Sequence, residues 1–396
     1  MVEKNCGATP PLLRQINIKA VLETVRTSGP ISRAMLAKDL GISRPTISKL
    51  VDELITEGWL LELGQGTSGN AGRKPILLEF NHRNGYILVT DLGGTEMLCG
   101  VTDLKGNFLS RVIYPSHGLD GAEAIVNALF SGMEAAVDQA GIKKERLFAV
   151  GLACPGILDK EKGIVKMAPN LKDFDRIPII QVLRNKFQIP VIVVNDVNAA
   201  TVGERWRGAG AHANNMIFLS IGTGIGAGIV INGELFEGVN GSAGEIGYLS
   251  FAYKGLGDRE HGFLESVSSG YGLAKAATEL NLNSSDRQKT GQPLSPTEVI
   301  SLAKENNNYA KEIIEIFVEN IVLAINNIVC LLNPEVIVLG GSIISHNTHL
   351  FDEIRARINS LTYFPVNLMC SALGEDGATY GVVKLALNAI MDGLSS

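Results

Sequence analysis

Two glycine-rich turns, each flanked by apolar strand-like segments, constrain the fold of this chain more than any other feature. The first is DLGGT, after a strand predicted over Tyr86–Asp91, and the second is GTGIGAGIVING, after the apolar segment MIFLSI. A strand rather than a helix follows the glycines, so this is not the dinucleotide-binding fingerprint. Two such turns facing each other from separate lobes would hold the phosphates of a nucleotide or, if unused, shape the floor of a cleft.

Further strands and one helix are predicted in the same body of the chain. Glu96–Thr102 and Phe108–Tyr114 are predicted as two further strands, separated from the first and from each other by tight turns at Gly93-Gly94 and Lys105–Asn107. The apolar run Val191–Val194 and the segment Leu332–Gly341 (LNPEVIVLGG) are typical of buried strands, and Gly377–Asn388 of a packed terminal helix. The body therefore reads as an α/β fold.

Three carboxylates stand where a cleft would place them. Asp196 follows the Val191–Val194 strand, and polar ligand groups collect at strand ends in open α/β sheets. It could act as a general base on a sugar hydroxyl, only hydrogen-bond that hydroxyl, or N-cap the next helix. Glu245 and Glu265 lie near further glycine turns. Three acceptors around an apolar floor suit a polyol, although each could equally be a solvated surface acid.

The first eighty residues have a different pattern, which predicts three helices. Residues 11–28 have helical apolar spacing that ends at Gly29-Pro30. Ser32 can cap a second helix, Gly41 allows a tight turn, and Ser43 can cap a third helix with Pro45 in its first turn. A steep crossing of this kind is typical of a helix-turn-helix, although a plain three-helix packing module would look similar.

The third predicted helix presents a polar face that suits a DNA major groove. After it, WLLELGQ and KPILLEF are predicted to pair across GTSGNAGRKP as the two-stranded wing of a winged helix-turn-helix. Basic residues in that wing could reach phosphates or the minor groove. The residues predicted to contact DNA are Ser43, Arg44, Thr46, Ser48, Lys49, Arg73 and Lys74.

Composition and charge agree with this division. The net charge of −6 hides a basic head, because residues 1–75 hold ten basic and seven acidic residues while the remainder holds 25 and 34. No apolar run approaches the ~20 residues of a membrane span, and no secretion signal is recognisable, so we expect a cytoplasmic protein. Five scattered cysteines without a C-x-x-C pair fit a reducing compartment.

Along nearly its whole length the chain resembles the ROK family, which comprises repressors, open reading frames and sugar kinases. The matching segments are the helix-turn-helix with its wing, DLGGT, GLACPGILD, APNL, VNDVNAA, GTGIGAGIVING, GSAGEIG, LNPEVIVLGG and GATYG. The resemblance implies an actin-like, hexokinase-like fold of two lobes behind the winged helix-turn-helix. It also implies a sugar cleft between the lobes, and a homodimer or tetramer that spans a palindromic operator.

The resemblance also assigns residues. The expected domains are 1–80 for DNA binding and 81–396 for the ligand, with one lobe over about 81–195 plus the C-terminal helix and the other over about 196–380. The implied phosphate-binding residues are Asp91, Gly93, Gly94, Thr95, Gly222, Thr223 and Gly224. The implied sugar-binding residues are Asn170, Asn195, Asp196, Glu245, Tyr248 and Glu265, with Asp196 at the position of the catalytic base in the kinases.

One departure from the family pattern concerns zinc. Most members carry a histidine after GEIG and a cysteine cluster before the LE pair, which together hold a structural zinc ion. Here Tyr248 replaces the histidine, LGDREHGFLE contains no cysteine, and His261 alone cannot supply four ligands. We therefore expect no metal, and we expect Tyr248 to reach the ligand through its phenol.

Two functions follow from this resemblance. The first is a transcriptional repressor of carbohydrate-metabolism genes, which would need no cofactor and would respond to a sugar or sugar phosphate in the cleft. The alternative is an ATP-dependent sugar kinase, using ATP and Mg²⁺, with an added DNA-binding head.

Overall fold

A computed structural model describes residues 10–65, 75–94, 96–116, 118, 121–168, 171–251, 262–279 and 294–394. The first unit, which we call the reader, ends at Phe80. Its elements are α1 (Pro10–Ser28), β1 (Ile31–Ser32), α2 (Arg33–Leu40), α3 (Arg44–Thr56), β2 (Leu60–Gln65) and β3 (Ile76–Phe80). The strands form one antiparallel sheet in the order β1-β3-β2.

The reader has the predicted winged helix-turn-helix geometry. The Ser32 Oγ accepts the Met35 N–H at 3.3 Å and the Ser43 Oγ accepts the Thr46 N–H at 3.3 Å, so both serines cap their helices. Gly41 has a φ of +65°, the left-handed conformation that ends α2. The predicted wing pairing is confirmed by β2 and β3.

The first lobe is a five-stranded mixed sheet in the order β10-β7-β4-β5-β6. Its elements are β4 (Tyr86–Leu92), β5 (Glu96–Asp103), β6 (Phe108–Pro115), α4 (Ala122–Ala140), β7 (Leu147–Cys154), β8 (Ile157–Asp159), β9 (Ile164–Lys166), α5 (Ile179–Phe187) and β10 (Val191–Asn195). Strands β4, β7 and β10 run parallel, which brings their carboxyl ends to one edge, while β8 and β9 form a separate hairpin.

The second lobe is built on a sheet in the order β13-β12-β11-β14-β15. Its elements are α6 (Asp196–Arg207), β11 (Met216–Ile221), β12 (Ile225–Ile231), β13 (Glu234–Leu235), α7 (Phe263–Ser268), α8 (Gly270–Glu279), α9 (Pro296–Lys304), α10 (Asn308–Leu332), β14 (Val336–Gly340), α11 (Ser342–Ser345), α12 (Thr348–Leu361) and β15 (Leu368–Cys370). The terminal helix α13 (Gly377–Gly393) returns to the first lobe and packs on β7, β4 and β10.

The strand predicted over Leu332–Gly341 is wrong at its start. The apolar period of α10 continues to Leu332, and Asn333 ends that helix with a φ of +42°. The strand begins only at Val336. By length and composition α10 could cross a membrane, but 56% of its apolar window is buried in the second lobe, as in the core helix of a folded domain.

Helices α6 and α13 are packed closely enough to exclude side chains between them. A Cβ atom on Gly203 would overlap the carbonyl oxygen of Gly377, and one on Gly381 would overlap the carbonyl oxygen of Ala199. Because each glycine faces backbone rather than a flexible side chain, neither position has room for a side chain while α6 and α13 stay packed together. This pair joins the two lobes.

Candidate functional site

The junction of β10 and α6 carries two of the predicted ligand residues. The Asn195 Oδ1 accepts the Asn198 N–H at 3.0 Å, so Asn195 is the N-cap, and the alternative that Asp196 caps the helix is wrong. The Asp196 Oδ1 accepts the Val197 N–H at 2.8 Å and the Asn195 Nδ2–H at 3.0 Å. Asn195 also donates to the Gly156 carbonyl at 3.1 Å. These bonds fix the Asp196 carboxylate before any ligand arrives.

Two further carboxylates of the second lobe, Glu245 and Glu265, lie near Asp196. Burial raises the pKa of Glu245, and the neighbouring charges of Glu265 and Asp196 raise it further. The Glu265 Oε2 accepts the Ile225 N–H at 2.9 Å and lies 2.6 Å from the place of a Cβ on Gly224. Glu265 therefore links the acidic cluster to the second glycine turn, and a side chain on Gly224 would displace the Glu265 carboxylate.

The first glycine turn adds a fourth acidic group. Burial raises the pKa of Asp91 to about 7, with further contributions from Asp196 and Asp376. At the turn itself the Gly93 N–H donates to the Glu96 carbonyl at 3.0 Å, and the Ser116 hydroxyl donates to the Gly93 carbonyl at 2.6 Å. We call the space around Asp91, Asp196, Glu245 and Glu265 the cleft.

The second glycine turn lies against the start of α8. The Gly270 N–H donates to the Gly222 carbonyl at 2.8 Å and the Tyr271 N–H donates to the Thr223 carbonyl at 3.2 Å. Both turns are thus present at the predicted positions, and the strand that follows each is confirmed. Whether they hold a nucleotide stays a prediction.

Among the other predicted ligand residues, the structure describes Tyr248 but not Thr95 or Asn170. Tyr248 lies in a short 3-10 helix that directly follows Glu245, and the residue is 40% exposed. Thr95 and Asn170 lie outside the described residues, as does residue range 252–261 with His261. The expectation that no zinc binds there stays a prediction.

The raised pKa of Asp91 makes a stability prediction. Its carboxyl has an ordinary pKa of 3.8 and a pKa of about 7 in the fold, so ionisation opposes folding increasingly as the pH rises between those values. Asp91→Asn should therefore raise the free energy of unfolding at pH 8, and the gain should disappear near pH 4. Denaturant titrations at both pH values measure this. The exposed Asp138→Asn variant is the control and should change little at either pH; an equal gain at both pH values for Asp91→Asn would contradict the account.

The polar face of α3 forms the second candidate site. Arg44, Thr46 and Lys49 are exposed, and neither cation makes an ion pair with another described residue. The Ser43 side chain is used as the cap and lies 2.8 Å from the Thr46 hydroxyl. Ser48 is half-buried and accepts a hydrogen bond from Arg33. The predicted Arg73 and Lys74 lie outside the described residues.

The reader is joined firmly to the first lobe and to α13. The rings of Trp59 and Phe148 lie 5.5 Å apart between centroids, and Lys19 of α1 forms an ion pair with Asp392 of α13 at 2.5 Å. The Arg146 side chain donates to the carbonyl of Arg83 at 2.7 Å in the short connection between the units. Reader and first lobe also share one hydrophobic cluster. Sequence periodicity gives no sign of this junction, because its contacts join distant segments.

Comparison with known proteins places this geometry in context. The sequence model of the ROK family matches residues 87–389, which begin just after the reader. The xylose repressor of Caldicellulosiruptor bescii is 29% identical over 394 residues, covering 96% of this chain and 97% of that protein. The glucokinase of Halalkalibacterium halodurans is 30% identical over 321 residues, and the match covers 76% of this chain and 96% of the glucokinase. A solved ROK family transcriptional regulator, a homologue of the E. coli MLC protein, has a TM-score of 0.79 and 25% identity, covering 97% of this chain and 98% of that chain.

Proposed function

This chain belongs to the ROK family, and from that premise we propose that it is a transcriptional repressor whose DNA affinity responds to a sugar. One observation carries the proposal: repressor relatives match 96% of the chain, reader included, whereas the glucokinase relative matches 76%. In a repressor that carries both a DNA reader and a ligand cleft, ligand binding in the cleft changes the affinity of the reader for DNA. Such a protein acts where the DNA is, in the cytoplasm.

The proposed DNA target is a palindromic operator bound by a homodimer or tetramer. A single helix-turn-helix covers one half-site, and half-sites lie roughly 34 Å apart per turn of DNA. Two readers on a two-fold axis must therefore be held at a fixed spacing, and a small rotation of either reader weakens binding. Movement of the lobes would supply that rotation.

A route for the coupling runs through three helices. Asp196, at the start of α6, would bind the sugar. The Gly203 and Gly381 contacts lock α6 to α13, and Asp392 of α13 pairs with Lys19 of the reader. Closure of the lobes on a sugar would pivot about this helix pair and turn the first lobe, with the reader attached to it, relative to the second lobe.

The charge of the cleft favours a neutral sugar over a sugar phosphate. The neighbouring charges that raise the pKa values of Asp91 and Glu245 are all carboxylates. Carboxylates accept hydrogen bonds from hydroxyl groups, but they repel a phosphate brought to the same place. We propose an unphosphorylated aldose as the effector, and the name of the xylose repressor relative makes xylose the first compound to try.

Thermal unfolding over a panel of sugars tests the identity of the effector. One neutral sugar should raise the free energy of unfolding by about 2.7 kcal/mol at ~100 times its dissociation constant, and its phosphate ester should have no effect. Asp196→Asn should abolish the stabilisation, with the exposed Asp138→Asn as the matched control. Stabilisation by phosphate esters alone would contradict the proposed sugar class.

A sugar kinase remains a second candidate because both glycine turns and a fixed Asp196 carboxylate are present. In that case Asp196 would accept the proton of the attacking hydroxyl, while the turns would hold the phosphates of ATP. Sugar-dependent ADP release, lost in Asp196→Asn, would support the kinase. If a sugar stabilises the protein but causes no ADP release, the kinase is excluded for that sugar and the repressor is the function that stands.

A further inference from the structure

Arg33, the first residue of α2, connects three elements of the reader through one guanidinium group. Its Nη1 donates to the Asp52 Oδ1 at 2.6 Å and to the Ser48 Oγ at 3.2 Å, both on α3. Its Nη2 donates to the Glu62 Oε1 at 3.0 Å, on the first strand of the wing. A planar fork of donors can serve two carboxylates at once, which a lysine ammonium cannot do with the same geometry.

The two carboxylates lie on the side of the reader that would face DNA. Asp52 follows Ser48 by one turn of α3, beside Lys49, and its side chain is 63% exposed. Glu62 lies at the base of the wing with its side chain 39% exposed. Without a cation between them, both would oppose the phosphates that Arg44 and Lys49 are placed to meet.

The Arg33 side chain is partly buried and is held in one position by its ion pairs. Its side chain is only 28% exposed. Burial acts to lower the pKa of Arg33, but the hydrogen bonds that Arg33 donates to Asp52 and Glu62, together with their charges, outweigh burial, and the pKa is raised. The guanidinium is therefore charged at every pH at which the protein folds.

We propose that Arg33 is a positioning residue for DNA binding, which neutralises Asp52 and Glu62 and orients Ser48 so that α3 and the wing can approach DNA together. It does not itself contact the DNA. This inference rests on the proposed function, since it concerns how the reader meets its operator.

Operator binding by full-length variants tests this role, using a duplex that the wild-type protein selects from a random pool. Arg33→Gln should weaken binding at least about tenfold at ~100 mM salt, and the loss should shrink as salt rises, because the uncovered carboxylates act electrostatically. The triple variant Arg33→Gln/Asp52→Asn/Glu62→Gln should return to within about threefold of wild type, because the opposing charges are gone. A loss that came only from altered packing would be neither salt-dependent nor rescued.

Two further variants keep the test decisive. Arg14→Gln removes another arginine–carboxylate pair of the reader, with Glu53 at 2.7 Å, and should change binding less than about twofold. The double variant Asp52→Asn/Glu62→Gln, with Arg33 intact, should bind the duplex at least as tightly as wild type. This measurement tests the proposal even if Arg33→Gln does not fold. Unchanged binding by Arg33→Gln, an unrescued triple variant, an equal loss in Arg14→Gln, or weaker binding by the double variant would each overturn the role of Arg33. A wild-type protein that selects no duplex would instead overturn the proposed function.

Discussion

Gly381→Ala should destabilise the protein by about 3 kcal/mol, which is a large effect for a single methyl group. The added Cβ would overlap the carbonyl oxygen of Ala199, and relief requires α6 and α13 to separate along their length. Because α6 begins at Asp196 and α13 supports the reader, the separation should weaken the sugar response as well as the fold. The denaturation midpoint and the sugar-dependent stabilisation measure the two effects.

Gly393→Ala is the matched control for Gly381→Ala. Both glycines lie in α13, but a Cβ on Gly393 would have no atom within 4 Å. Alanine is preferred to glycine within a helix by up to about 1 kcal/mol, so this variant should be neutral or slightly stabilised. Equal midpoints for the two variants would contradict the close packing of α6 on α13.

Arg44→Gln/Lys49→Gln should reduce operator affinity by about a hundredfold or more at ~100 mM salt. The two cations are exposed on α3 and make no ion pair with a described residue, so removing them costs DNA contacts without breaking the fold. If both contact phosphates, the slope of log affinity against log salt should fall by about 1.8 units. Anisotropy titrations at several salt concentrations measure both quantities.

The control for the double variant is Lys311→Gln, an exposed lysine on α10 in the second lobe. It also removes positive charge, but far along the chain from the reader, so operator affinity and its salt slope should stay unchanged. The sugar-dependent stabilisation of the double variant should equal that of wild type, because the cleft is intact. A loss of operator affinity in Lys311→Gln as large as in the double variant would show that net charge, not the α3 face, controls binding.

Local chemistry made much of the fold predictable. Helix caps and tight turns depend on a few neighbouring residues, which is why Ser32, Gly41 and Ser43 were assigned correctly. The strands around DLGGT follow from short apolar segments bounded by glycine turns, and their ends differ from the prediction by one residue. The choice of Asn195 over Asp196 as the cap was harder, because either side chain can accept the hydrogen bond.

Contacts between residues far apart in the chain could not be predicted from the local sequence pattern. Leu332 continues an apolar helical period and also precedes an apolar strand, so periodicity alone could not place the boundary. The Arg33 group joins residues up to 29 positions apart, and only the spacing of Ser48 and Asp52 hinted at a shared face. The Trp59–Phe148 contact between reader and first lobe had no local signal at all.

The central claim is that the cleft and the reader share one equilibrium, and reciprocal titration tests it most directly. Affinity for the selected duplex is measured with and without a saturating neutral sugar, and sugar affinity with and without the duplex. The account predicts a change of at least about tenfold in the first, and the same factor in the second, because linkage between two sites is reciprocal. A sugar that binds and stabilises the protein but leaves operator affinity unchanged would contradict it.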